Sequence, residues 1–170
     1  MDANSEDVLF ARDIFVADWQ RQSLTISKSH LIESPDTSRD ALKALINCAQ
    51  KTIDIEMEVV EDNQMIDLLS QRAKNATIRI LAPPISQLKA NQKALQKLKQ
   101  AGVMVKTLSS PYTHAKLILS DNSKAYVGSV NFSTQSMDSN RELGIILLDV
   151  NITKVLENTF KSDWTKGKEF

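Results

Sequence analysis

The hydrophobic period of this chain switches repeatedly between 3.6 and 2 residues, and that switching constrains its fold more than any other feature. Leu42, Leu45, Ile46 and Ala49 recur at i, i+3, i+4 and i+7, the spacing of one helix face. Ile53, Ile55 and Met57 then alternate as a strand. Met65, Ile66, Leu68, Leu69 and Ala73 return to the helical period, and Ile78 and Ile80 to a strand ended by Pro83-Pro84. A third helix is predicted over residues 85–100, stopped by Gly102, and Val103 and Val105 begin another strand. Alternation at this spacing implies an α/β sheet with helices on both faces.

After Pro111 the pattern changes to close-set strands, predicted over residues 114–119, 124–129 and 141–148, with Asp121-Asn122-Ser123 as a hairpin-like turn. The sheet is therefore expected to be mixed. Residues 151–164 read as a closing helix whose apolar face is Ile152, Val155, Leu156, Thr159 and Phe160. At the other end a helix is predicted from Ser5 to about Arg21, with Glu6 and Asp7 in its first turn. Val8, Ala11, Phe15 and Trp19 make one apolar stripe on it, and Phe10, Ile14 and Ala17 a second. So broad an apolar surface has to be covered by something, and both tryptophans of the chain read as core. Residues 20–29 are linker-like, Leu31 and Ile32 form a short strand, and Ser34-Pro35-Asp36-Thr37-Ser38 is a turn into a helix. The predicted organisation is a helix and linker over residues 1–27, followed by one domain over 28–170.

One pentad occurs twice. Phe15-Val-Ala-Asp18-Trp19 matches Phe160-Lys-Ser-Asp163-Trp164, and each copy ends an amphipathic helix. The repetition suggests that residues 1–22 are the tail of a preceding copy of the same domain.

Composition narrows the function. Lys+Arg and Asp+Glu are both 21, so the net charge is zero, whereas a dedicated nucleic-acid binder carries a basic excess. A single cysteine, Cys48, excludes an internal disulfide and a multi-cysteine metal site, and reads as a small buried thiol. Two histidines without a Cys/His cluster argue against zinc. No apolar stretch is long enough to span a bilayer, and the acidic N-terminus is no signal peptide. Lys89, Lys93, Lys97 and Lys99 read as a solvated helix face, and His30, with no lysine two residues on, as structural.

The chemistry concentrates between residues 114 and 142. On a strand, His114 and Lys116 would share a face, and so would Ser129 and Asn131. Imidazole, ammonium, hydroxyl and amide together make a phosphate-handling set. Taken singly, each would be an ordinary polar or turn residue; the joint spacing sets them apart.

His114-x-Lys116-x4-Asp121-x6-Gly128-Ser129-x-Asn131 resembles the HKD motif of the phospholipase D superfamily. Asn140-Arg141-Glu142-Leu143-Gly144 resembles the stretch that follows the motif, and the similarity to the family's half-domain extends over roughly residues 28–165. The resemblance implies a metal-independent phosphodiesterase that cleaves or transfers a phosphatidyl group and needs no cofactor. By resemblance His114 attacks phosphorus to form a phosphohistidine, or else serves as the acid. Its ordinary pKa of about 6.5 keeps a neutral nucleophile available near neutrality. Lys116 supplies charge to a non-bridging oxygen, and Asn131 donates a further hydrogen bond. Glu142 is the candidate holder of the imidazole, accepting its Nδ1 proton, and Gly144 on the same face would leave room for substrate. Ser129 supports the phosphate or Glu142, Gly128 permits close backbone approach, and Asp121 is a structural member of the motif.

The family uses two such motifs about a pseudo-twofold axis, and this sequence contains one. A homodimer, or a missing N-terminal half carrying the second motif, would complete the site, and the repeated pentad favours the second origin, with this chain resembling the C-terminal half of a two-motif member. Besides a phospholipid substrate, two alternatives stand: a nuclease like the small single-motif bacterial endonucleases of the superfamily, and a catalytically incomplete half-domain acting in assembly.

Overall fold

A computed structural model describes residues 5–25 and 29–170. The predicted boundary at 27–28 and residues 1–4 lie outside the described residues. In chain order the elements are α1 (Ser5–Gln20), β1 (Leu31–Ser34), α2 (Ser38–Cys48), β2 (Thr52–Met57), α3 (Asn63–Arg72) and β3 (Thr77–Ala82). A short 3-10 turn (Lys89–Asn91) leads into α4 (Gln92–Gln100). Then follow β4 (Met104–Thr107), β5 (Lys116–Ser120), β6 (Lys124–Gly128), α5 (Thr134–Asp138), β7 (Glu142–Leu147), α6 (Val150–Lys166) and β8 (Lys168–Glu169).

The strands form one mixed sheet in the order β1-β7-β6-β5-β2-β3-β4-β8. β2, β3 and β4 are parallel, joined by helical crossovers, and β5 to β7 run antiparallel as the close-set strand pattern predicts. Strand alternation divides the core in two. Ile53, Ile55, Ile78, Ile80, Val105 and Ile118 face α2, α3 and α4, meeting Leu42, Ile46, Met65, Leu69, Leu95 and Leu98. Leu81, Leu117, Leu119 and Ala125 face the other way and pack with Phe160 of α6. Helices therefore cover both faces, and β5 is buried along its whole length.

Four elements depart from the sequence expectation. The third helix starts at Gln92, not Ile85, because Asn91 is fully buried just before it. Asn91 Oδ1 accepts from Val60 N at 2.9 Å and its Nδ2 donates to Glu58 O at 2.7 Å, so the chain must settle there before a helix can run. Lys89 thus lies on the 3-10 turn, while Lys97 on α4 pairs with Asp67 at 2.6 Å on the surface. Helix α6 is rotated from its predicted face: Thr153, Glu157 and Phe160 are buried, whereas Ile152 and Val155 are exposed. On α1 the Phe10, Ile14, Ala17 stripe is buried, but Val8, Phe15 and Trp19 point outward, so Trp19 is not core. Cys48 ends α2 half-buried, its Sγ 3.1 Å from Leu45 O.

His30 is structural: its backbone N–H donates to Asp7 Oδ1 at 2.7 Å and its Nδ1 lies 3.1 Å from Asp7 Oδ2, tying α1 to β1. No helix among the described residues is long and apolar enough to cross a membrane.

Candidate active site

The end of β2, the start of β5, the end of β6 and the start of β7 meet at one edge of the sheet, beside the carboxyl ends of the parallel strands, where open α/β sheets present their clefts. An open pocket of about 380 Å³ lies there, lined by Glu58, His114, Lys116, Gly128, Ser129, Asn131 and Glu142. The fold thus gathers every residue of the predicted set except Asp121. It also adds one that sequence reasoning missed, Glu58.

His114 does not lie on a strand. It precedes β5 by two residues, outside any helix or strand, and its side chain is 72% exposed, against 7% for Lys116. The two converge because both reach the same carboxylate oxygen. Lys116 Nζ donates to Glu58 Oε2 at 2.7 Å, and His114 Nε2 lies 3.1 Å from that oxygen. Lys116 Nζ also donates to the His114 carbonyl at 3.1 Å, and Tyr112 Oη donates to Glu58 Oε1 at 3.2 Å. A lysine this buried needs such partners, since an unpaired charge away from water is costly. Burial pushes the Glu58 carboxyl up, but the Lys116 hydrogen bond and charge, with help from His114 and Tyr112, hold it below its ordinary value.

The carboxylate at His114 Nε2 is thus Glu58, a different nitrogen from the Nδ1 that the sequence reading gives to Glu142. Glu142 is half-buried at the start of β7 and accepts from Asn140 Nδ2 at 3.1 Å. Gly144 also serves a different purpose from the one predicted. A Cβ there would run into the Tyr126 ring, so the missing side chain makes room for core, not substrate. Tyr126 Oη accepts from Val130 N at 2.9 Å and so pins the turn that carries Ser129 and Asn131. Gly128 pairs with Gly144 across β6 and β7, and a Cβ on it would strike the opposite backbone, so its close approach is to β7.

Asn131 is oriented by its partner. Its Oδ1 accepts from Val59 N at 3.1 Å, which fixes the amide and leaves the NH₂ as the group able to donate in the pocket. Ser129 Oγ accepts from Leu143 N at 3.1 Å and donates to Leu143 O at 3.3 Å, bracing the residue next to Glu142. Asp121 sits at the far end of β5 with φ 51°, and its carboxylate accepts from the backbone of Gln50, Lys51 and Thr52 at 2.6–2.8 Å. Burial raises its pKa, the three N–H donors outweigh that, and the net shift is downward. Its place is structural: it fastens the β5–β6 turn to the start of β2.

A larger cavity of about 450 Å³ lies between α2 and the β1–β7 edge, lined mainly by apolar side chains such as Ile32, Leu45, Ile146 and Leu148. It holds none of the His-Lys-Asn set. The chemistry of the smaller pocket is distinct: an imidazole and an ammonium facing one anionic oxygen, with an oriented amide beside them, is an arrangement for binding and attacking a phosphoryl group.

Comparison with known proteins agrees with that chemistry. Residues 42–164 match the family described as "Cardiolipin synthase, PLD-like domain". Cardiolipin synthase 1 of Bacillus cereus is 26% identical over 137 residues, covering 77% of this chain and 27% of that protein. The cardiolipin synthase of a Geobacillus species is 29% identical over 139 residues, covering 76% of this chain and 28% of that protein. The chain thus spans little more than a quarter of the length of these relatives. Among solved structures, the phospholipase D family member Nuc from Salmonella typhimurium superposes with a TM-score of 0.77 at 19% identity, covering 82% of this chain and 95% of that one. At that identity the likeness speaks for the fold alone.

Proposed function

This chain belongs to the family of cardiolipin synthase, PLD-like domains within the phospholipase D superfamily, and from that premise we propose that it supplies one half of a site that transfers or hydrolyses a phosphatidyl group through a phosphohistidine. The observation that carries the reading is the single oxygen held by both His114 Nε2 and Lys116 Nζ. A nucleophile and its phosphate clamp have to address one group, and here they do.

In the proposed reaction Lys116 and the Asn131 amide hold the non-bridging oxygens. His114 Nε2 attacks phosphorus, a P–N bond forms, and the P–O bond to one alkoxyl group breaks. The departing oxygen takes a proton from the acid of the opposing half-site. A hydroxyl acceptor or water then attacks the phosphohistidine, losing its proton to that same group, and His114 is restored. All the charge this mechanism needs comes from side chains. The curated relatives named as cardiolipin synthases, together with the zero net charge, favour a phospholipid over a nucleic-acid substrate.

The opposing half-site comes from another phospholipase D-like half-domain. Phe160 and Trp164 stack at 5.8 Å and lie under the Arg79 guanidinium, so this pentad is built to seat on a sheet of this kind. Phe15 and Trp19 stack at 6.2 Å in the same manner but point outward from α1. We assign to them an apolar contact with a second half-domain, which a second copy of this chain can supply at a surface other than its own α6 seat.

The test is turnover of detergent-dispersed phosphatidylglycerol, run across nanomolar to micromolar protein and with single-stranded DNA in parallel. Specific activity should rise with protein concentration, fall at least about 10³-fold in His114→Ala, and be indifferent to EDTA. Turnover that survives His114→Ala, or that EDTA abolishes, would overturn the mechanism, and DNA cleavage without lipid turnover would overturn the substrate.

A further inference from the structure

Glu58 holds a position that a structural counter-ion for Lys116 does not need. Its Oε2 lies 2.7 Å from Lys116 Nζ and also 3.1 Å from His114 Nε2, on an imidazole that is otherwise largely exposed. An oxygen within reach of both nitrogens is where a phosphoryl oxygen must sit if one nitrogen is to attack and the other to neutralise. We infer that the Glu58 carboxylate occupies the phosphoryl subsite as a resident anion, so that a phosphodiester binds only by displacing it from His114 and Lys116. This rests on the reading of those two residues as the phosphoryl-binding pair.

The surroundings of Glu58 suit a side chain that leaves while its backbone stays. Glu58 N donates to Ala115 O at 3.2 Å, and Glu58 O accepts from the buried Asn91 at 2.7 Å. The main chain is thus fastened to the residue just before β5 and to the turn before α4. Among the described residues the carboxylate is held by Lys116 Nζ, His114 Nε2 and Tyr112 Oη, and Tyr112 is itself exposed. Displacement therefore costs a rotamer change, and Tyr112 offers a partner to the carboxylate as it swings outward. Lys116 is never left unpaired, because the incoming anion takes the place of the outgoing one.

The arrangement discriminates between ground state and transition state. A phosphodiester carries one negative charge, like the carboxylate it must displace, so its ground-state binding is weak. Charge accumulates on phosphoryl oxygens as the nucleophile adds, and the competition then turns in favour of the substrate. Interactions that strengthen only in the transition state raise kcat, not ground-state affinity. Substrates with further binding groups outside the pocket can meet the displacement cost, while small anions bind poorly.

Titration with sulfate at pH 7.5, followed by the ¹⁵N and ¹H shifts of His114 and by calorimetry, tests this without any turnover. Glu58→Gln keeps the shape and an acceptor for Lys116 but removes the competing charge, and should tighten sulfate binding about tenfold. Lys116→Ala should remove the binding in both backgrounds, which places it in this subsite. With bis(p-nitrophenyl) phosphate as substrate, Glu58→Gln should lower KM, and by a larger factor than any change in kcat. Sulfate affinity that is equal or weaker in a Glu58→Gln protein with a wild-type melting curve would overturn the inference. So would a fall in kcat at unchanged KM, the mark of a residue that only positions His114. Tightened sulfate binding in a protein that turns over no phosphodiester would refute the proposed function and leave the resident anion standing.

Discussion

The two Phe-x-x-Asp-Trp pentads are the same local sequence in opposite surroundings. Both form the end of a helix, and both stack their aromatic rings at similar separation, 6.2 Å in α1 and 5.8 Å in α6. Phe160 is nevertheless fully buried, whereas Phe15 is 66% exposed. What differs is the surface each helix meets. Under α6, Arg79 is held by Asp54 at 2.6–2.7 Å and spreads its guanidinium beneath Phe160 and Trp164. Beside α1, Asp18 pairs with Arg141, which also reaches Glu33, so the cation is spent at the helix edge and the rings stay exposed. Local sequence sets the helix and the ring pair; the sheet decides whether they are buried.

The sharpest way to break this comparison is to truncate both phenylalanines. Phe160→Ala should cost about 3–5 kcal/mol, because it empties a packed site between α6 and β5 that cannot collapse. Phe15→Ala should cost under about 0.5 kcal/mol in the isolated chain, as surface changes do. Urea unfolding of the two variants under identical conditions measures the difference, and equal losses would mean that the α1 stripe is already covered in solution.

The contrast also shows how far the sequence can be read. The alternation of periods predicts the sheet, its parallel half and its antiparallel half, because central strands and amphipathic helices carry their burial in their spacing. Which side of α1 or α6 faces inward is not legible, because both helices have apolar residues on two sides and the choice depends on Arg79 and Arg141. The site shows the same division. His114, Lys116, Ser129 and Asn131 stand out by joint spacing within one stretch, but Glu58 lies 56 residues before His114 and meets it only through the β2–β5 pairing. A signal was present: Asp54 and Glu56 on β2 and Glu58 just beyond it put an acid at every second position among Ile53, Ile55 and Met57, and each needs an answer from elsewhere in the fold. Arg79 answers Asp54, and Lys116 with His114 answers Glu58. Gly144 misleads for a related reason, since a glycine records that something is close without recording what.

Glu56, the acid between those two, gives the next prediction and separates the helices by pH. Burial beneath α6, reinforced by the Asp163 charge and partly offset by Lys166, pushes its carboxyl up to about 7. The folded state therefore keeps a proton that the unfolded chain loses near the ordinary carboxylate value, and stability falls as pH rises from about 4.5 to about 7. Asp7, which fastens α1, has the opposite sign. Burial raises it, but donors from Ser29 and His30 prevail and lower it, so its contribution is present above the ordinary aspartate value and is lost on acidification. Glu56→Gln should flatten the fall between pH 4.5 and 7 and stabilise the protein above pH 7 by about 1–3 kcal/mol. Thermal melts of both proteins across that range check it, and parallel curves would mean that Glu56 ionises as freely folded as unfolded.

The smallest effect on folding, and the one that most sharpens the comparison, is expected at Trp19. It is 79% exposed, so Trp19→Ser should leave the unfolding free energy within about 0.5 kcal/mol of wild type. Its consequence should appear in association. Large aromatic rings at the centre of an interface carry much of its binding energy, and losing one costs about 2 kcal/mol or more. If the outer stripe of α1 packs against a second half-domain, sedimentation velocity at micromolar concentration should show wild type self-associating and Trp19→Ser dissociating at least about 30-fold more readily. Phosphodiester turnover should fall in step, because an unpaired half-site has no group opposite His114 to protonate the leaving oxygen. A wild-type protein that is monomeric at those concentrations yet fully active would dissolve the comparison, since the exposed pentad would then have no counterpart to find and one pocket would suffice for the chemistry.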